Sequence, residues 1–360
     1  MSTQPFRVRG VVLPEGDYRD LYVVGGRITS TRVAGAETVA EGFVVPGLVD
    51  AHCHVGLDAH GAVPADEQER QALADRDAGT LLLRDAGSAA DTRWIDKRDD
   101  LPHIIRAGRH IARTKRYIRN YGVEIEPHEL VDTVAEQARR GDGWVKLVGD
   151  WIDRDAGDLA PCWPGDALSA AIAKAHEMGA RVTAHVFGED ALPDLLAAGI
   201  DCLEHGTGLS AELISTMAER GVALVPTRRQ LDNFGEYANQ GEAKFPVYAS
   251  HMRALYDRVD DTLRAAAEAG VAIYAGTDAG GVLPHGLIAT EIRLLHERVG
   301  LSRRDALAAG SWRAREWLGA NPGLTEGAPA DFVVYDADPL DDLRALAAPT
   351  RIVLRGAVVA

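Results

Sequence analysis

The chain has 360 residues, 46% of them hydrophobic and 26% charged, and a formal net charge of −15. This is the composition of an ordinary globular protein, and the acidic excess argues against a nucleic-acid partner, since phosphate binding needs surplus Lys and Arg. No run of about 18 apolar residues occurs, and the opening MSTQPFRVRGVVLPEG lacks the apolar core of a secretion signal, so a cytoplasmic protein with no membrane partner is expected.

Residues 6–45 hold three β-rich pieces, FRVRGVVL, DLYVVGGRI and ETVAEGFVV, joined by Gly-containing turns. From about residue 46 short apolar strands alternate with Ala- and Leu-rich helical segments. In order the strands are GLVDAHCHV, TLLLRDAG, IIRAGRHI, WVKLVGD, RVTAHVFG, DCLEHGTG, VALVPT and VAIYAGTDAG. DALPDLLAAG and SAELISTMAERG read as linking helices, and GSWRAREWLG as a helix whose Trp and Leu side chains pack inward. Strand after strand with room for a helix predicts the α/β class and a (β/α)8 TIM barrel. The tail, ADFVVYDAD and TRIVLRGAVV around a short helical LDDLRALAA, returns to strands. Both chain ends are therefore expected to meet in one small β-sandwich domain, 1–45 plus 325–360, beside a barrel domain, 46–324. An open doubly wound sheet is the alternative, weakened by the lack of a Gly-x-Gly-x-x-Gly turn after an early strand. Cys53, Cys162 and Cys202, odd in number and widely spaced, read as reduced, buried thiols.

In a barrel the chemistry gathers where strands end at the C-terminal face. His52 and His54 end the first strand, and their i, i+2 spacing points both side chains one way and Cys53 the other. A His-x-His pair is weak by itself. Partners follow at matching positions: Lys146 in the fourth strand, His185 at the end of the fifth, His205 of the sixth and Asp278 of the eighth. Singly, each reads equally well as a hydrogen-bonded core residue or a helix cap. As a set at the same end of their strands, they point to one site.

The loops say less. After the third strand, RHIARTKRYIRNYGVEIEP brings Arg113, Lys115, Arg116, Tyr117, Arg119 and Tyr121 towards the barrel mouth, and after the seventh come Arg228 and Arg229. This local basic character fits an anionic substrate group such as a carboxylate, with solvated surface arginines as the alternative. Tyr117, Tyr121, Arg228 and, in GGVLPHGL, His285 are the candidate substrate-binding residues. Trp144, Trp151 and Trp163 either line an apolar subsite or cover the barrel surface. Asp85, in TLLLRDAG, has no assigned chemistry.

VVPGLVDAHCHVGL, TLLLRDAGS, VKLVGD, VTAHVFG, CLEHGTG, GTDAGG and GAPADFVVYDADPL stand in the order in which similar phrases occur in the amidohydrolase superfamily. From about residue 20 to its end the chain resembles that superfamily, and in particular its imidazolonepropionase-like and metal-dependent prolidase-like group. The resemblance implies a two-metal site. His52, His54 and Asp278 would bind one divalent ion, His185 and His205 a second, and Lys146, carboxylated by carbon dioxide, would bridge them. Carboxylation needs the neutral amine, which burial favours, and nitrogen and oxygen donors suit zinc. The activity implied is hydrolysis of a C–N bond (amide, peptide or cyclic amide) in a small carboxylate-bearing molecule by activated hydroxide, with Asp278 as the catalytic proton carrier. A homo-oligomer is expected. GWVKLVGDW lacks the Ser-Gly-Gly run that follows the bridging lysine in dipeptidase relatives, which counts against peptide substrates. A lactone, carbamate or organophosphate ester hydrolase on the same site is the alternative, as is a non-catalytic barrel scaffold.

Overall fold

The alternating pattern of FRVRGVV, apolar against basic, becomes the strand Phe6–Val12, which buries Phe6, Val8 and Val12 and leaves Arg7 and Arg9 half-buried. In the computed structural model, which describes residues 4–360, this strand pairs antiparallel with Asp17–Val24 and parallel with Glu37–Pro46. The first three positions of the expected 1–45 segment lie outside the described residues. Glu37–Pro46 in turn pairs with Phe332–Tyr335, which carries Arg351–Leu354 and Ala357–Val358 on its far side. Both chain ends thus join one seven-stranded sheet.

The barrel begins without a linker: Pro46 ends one strand and Leu48–Cys53 starts the next. Leu48–Cys53 runs parallel to Thr80–Asp85, and that strand to His103–Arg106. A second parallel set follows, Trp144–Val148, Arg181–Val186, Cys202–His205 and Ala223–Val225. Five of these strands, Leu48–Cys53, Thr80–Asp85, Trp144–Val148, Cys202–His205 and Ala223–Val225, are buried at every position. That is why they read as continuous apolar runs rather than alternating ones.

The third expected strand is broken: IIRAGRHI forms His103–Arg106 and then a separate Ile111–Arg113, which bridges to Leu147. The eighth, VAIYAGTDAG, closes the barrel by isolated bridges, Leu224 to Ile273 and Cys53 to Ala279, rather than as a regular strand. Backbone bonds Ala51 N to Ala275 O, Asp278 N to His52 O and His54 N to Ala279 O complete the closure. The irregularity comes from close approach. A Cβ on Gly276 would lie 2.7 Å from His52 Cβ, and one on Gly280 only 2.1 Å from His54 O. Only glycine lets this segment lie flat against the first strand.

Helices clothe the barrel. Pro246–Glu268, the longest at 23 residues, buries Ala249, Met252, Leu255, Val259, Leu263 and Ala266 at three- and four-residue steps, one apolar stripe. Trp312–Trp317 and the short Leu343–Ala347 turn fall where helical pieces are expected. Among the described residues no helix is long and apolar enough to cross a membrane. The three cysteines are buried and unpaired.

Candidate metal centre

Four of the barrel elements deliver their last residues to one point. His52 Nε2 lies 3.2 Å from His54 Nε2, and Asp278 Oδ1 lies 3.0 Å from each. Beside this triangle His185 Nδ1 and His205 Nε2 approach to 2.9 Å. Donor atoms of His52, His205 and Asp278 all lie within 4.8 Å of one another, so these residues could hold a metal ion.

The second nitrogen of each ring explains how the first is aimed. His54 Nδ1 donates to Gly87 O at 2.8 Å, which leaves Nε2 as a lone pair facing the centre. Thr227 donates its hydroxyl to Pro226 O, so its oxygen accepts from His205 Nδ1 at 2.7 Å and again frees Nε2. His52 Nδ1 faces Glu204 Oε1 at 3.4 Å, and His185 Nε2 faces Asp150 Oδ1 at 4.0 Å, neither making a hydrogen bond. A carboxylate or carbonyl behind the ring is the usual support of a metal-binding imidazole. Burial lowers the pKa of His52 to about 4 and of His205 to about 3, and holds His185 well below its ordinary value. These rings are therefore neutral at neutral pH. Ring nitrogens gathered at such short range, with buried orphan nitrogens behind His52 and His185, fit a site meant for cations. The donor set fits zinc chemistry.

The Asp278 side chain is 15% exposed to the cavity. Backbone conformation at this rim is unusual. His205, Thr227 and Asp278 have φ of 66°, 47° and 58°, left-handed values that cost a non-glycine residue about 1–3 kcal/mol. Left-handed backbone thus recurs at three points of the rim around this centre.

Lys146 reaches the same floor, and there the structure adds a residue that sequence reasoning passed over. Its ammonium is paired with Glu204 Oε2, fully buried. Glu204 Oε1 also accepts from Thr183 Oγ1 at 2.7 Å and faces Arg84 at 3.4 Å, whose guanidinium lies 4.6 Å from the Trp144 ring. Glu204 stands in register with the inward-facing His185, whereas the next residue in CLEHGTG, His205, reaches the centre through its left-handed backbone. His110 was also passed over. It is buried, has no partner for either ring nitrogen, and lies 5.0 Å from the His54 ring. Its place just after the third strand was the available signal.

Above the floor opens a cavity of about 290 Å³ bounded by His54, His185 and Asp278 below. Tyr117 and Tyr121 line it as expected, the latter donating to Asp58 O at 2.6 Å. Trp151 lines it too, whereas Trp144 and Trp163 are buried elsewhere, Trp163 donating to Val148 O. Arg228 and His285 are placed otherwise than expected. The Arg228 guanidinium turns to Asp260 at 2.6 Å and Asp232 at 2.8 Å, because those carboxylates neutralise it within its own helical layer. His285 is held at 2.7 Å by the buried Asp75, which also accepts from Gly286 N. Asp85, left without chemistry, caps the turn by accepting from Gly87 N.

Known proteins are similar to this chain in sequence or fold. An uncharacterized protein of Mycobacterium tuberculosis is 56% identical over 351 residues, 97% of this chain and 94% of that protein. Ochratoxinase of Aspergillus niger is 28% identical over 230 residues, 62% of this chain and 47% of its own length. A Xaa-Pro dipeptidase structure with bound methionine superposes with a TM-score of 0.84 at 20% identity, covering 99% of both chains. With the sequence pattern of the amidohydrolase family matched from residue 43 to 359, the chain belongs to that family.

Proposed function

We propose that this hydrolase of carbon–nitrogen bonds is a binuclear metal-dependent amidohydrolase acting on a small molecule. The observation that carries the reading is the meeting of His52, His54, Asp278, His185 and His205 at one end of the barrel, with His54 and His205 presenting Nε2 lone pairs inward. His52, His54 and Asp278 would hold one ion and His185 and His205 the other, zinc suiting these donors. When bound, divalent ions supply Lewis acidity and a water acidic enough to ionise near neutral pH.

The chain's own residues do the rest. The Asp278 carboxylate, open to the cavity, takes a proton from the attacking water and returns it to the leaving nitrogen. In balance, the water oxygen bonds to the acyl carbon, the C–N bond breaks, and the water's protons end on the two products. Glu204 positions Lys146 at the floor. Carboxylation of Lys146 would replace their ion pair by two anions, and Arg84 and Thr183 then keep Glu204 partnered. A reducing, cytoplasmic setting goes with the three unpaired cysteines.

The test is a substrate panel of amides, dipeptides, lactones, carbamates and aryl phosphate esters with zinc and bicarbonate present. Turnover of amides at least tenfold faster than of esters is expected. Turnover confined to esters would contradict it.

A further inference from the structure

Resting on the reading of the site as an amide hydrolase, we infer that its substrate presents a neutral aromatic group, not a carboxylate, to the outer cavity. The wall above the floor is made of Tyr117, Trp151, Phe187, Tyr237 and Tyr248, and the other polar groups there include the neutral amides of Gln230 and Gln240. No Lys or Arg is among the residues that line it.

Two of the arginines expected to clamp an anion, Arg116 and Arg228, are engaged elsewhere. Arg116 donates to Asp153 and to the carbonyls of Trp151 and Ala160, and Arg228 to Asp232 and Asp260. A carboxylate entering this cavity would lose hydration with no fixed cation in the wall to receive it. The net charge of −15 also slows the approach of anions. An aryl ring loses little on leaving water and gains about 0.5–1.5 kcal/mol from each well-placed aromatic partner.

Ring geometry separates a neutral aryl group from an organic cation. Tyr117 meets Trp151 at 67° and Tyr121 at 74°, so the rings of this wall already pack edge to face with one another. Alternating edge and face suits another ring, whereas a cation is attracted to faces alone.

The experiment is calorimetric titration of the metal-loaded protein with three ketones in which CH2 replaces the amide nitrogen: 1-phenylpropan-2-one, its 4-carboxylate and its 4-trimethylammonium analogue. The neutral ketone is expected to bind at least tenfold more tightly than either charged one. Gln240→Arg, at an exposed position on the cavity wall, is expected to raise affinity for the carboxylate about tenfold. Equal or tighter binding of a charged ketone, or binding of none, overturns the inference. Hydrolysis of the matching amides is followed separately. Tight neutral binding with no amide cleaved sinks the hydrolase reading and upholds the wall's preference, while cleavage of carboxylate-bearing amides alone does the reverse.

Discussion

The floor of the cavity stands on strand ends, where the pleat and pairing with the next strand set each side chain's direction. The outer wall stands on inserted segments, the stretch around Tyr117, the hairpin strands Asp150–Asp153 and Asp158–Pro161, and the helix Phe234–Glu242. Along a strand, position in sequence translates into position in space. His52 and His54 two residues apart must face together, and the end of a barrel strand must face the mouth. In the inserted segments no such rule holds, and a residue points wherever its best partner lies. Arg228 shows this: two carboxylates four and thirty-two residues downstream decide its direction, and nothing in TRRQ reveals them.

The contrast is tested first where its effect is largest. Asp278→Asn keeps the shape of the floor but removes the proton carrier, and kcat should fall about 10³-fold with the melting temperature moved by no more than about 2 °C. Steady-state kinetics beside thermal unfolding checks both, and near-normal turnover would contradict the role given to Asp278.

Next comes the buried charge network under the floor. Glu204→Ala leaves Lys146 and Arg84 facing each other without the anion between them, and loss of one partner of a buried pair costs about 3–5 kcal/mol. Urea unfolding should show a loss of that order; a change under about 1 kcal/mol would mean that the floor does not depend on this carboxylate. The same reasoning shows why Glu204 was hard to read. Strand alternation allows only one of Glu204 and His205 to face inward, and the left-handed turn at His205 that lets both do so is not legible in CLEHGTG. The barrel itself was legible because apolar runs and helical segments alternate. Its irregular eighth element was not, since the glycines that mark it, Gly276 and Gly280, serve close packing rather than a turn.

A smaller effect separates aiming from binding. Thr227→Val removes the acceptor for His205 Nδ1 but no candidate metal ligand. Zinc affinity, measured by competition with a chromogenic chelator, should weaken about tenfold. Unchanged affinity would show that the His205 ring is held by packing alone.

The smallest prediction concerns the wall's support. His251, on Pro246–Glu268, has Asp158 at 2.9 Å from Nδ1 and Glu189 at 2.9 Å from Nε2. Burial works against its charge, but the two carboxylates outweigh it and raise its pKa above 6.5. A histidine raised in the folded state stabilises fully below its unfolded pKa, and that contribution is lost as pH rises through the folded value. The stability advantage over His251→Gln should be about 1 kcal/mol or less near pH 6 and shrink towards pH 9, given partial exposure of the pair. An advantage that grows with pH would reverse the assigned sign.

The most direct measurement of the central claim is metal analysis of protein purified without chelator, compared with the His185→Ala, His205→Ala double variant. About two divalent ions per chain are expected in the first and about one in the second. Protein that binds no divalent ion even after zinc and bicarbonate are supplied, or a metal content indifferent to both histidines, would contradict the account.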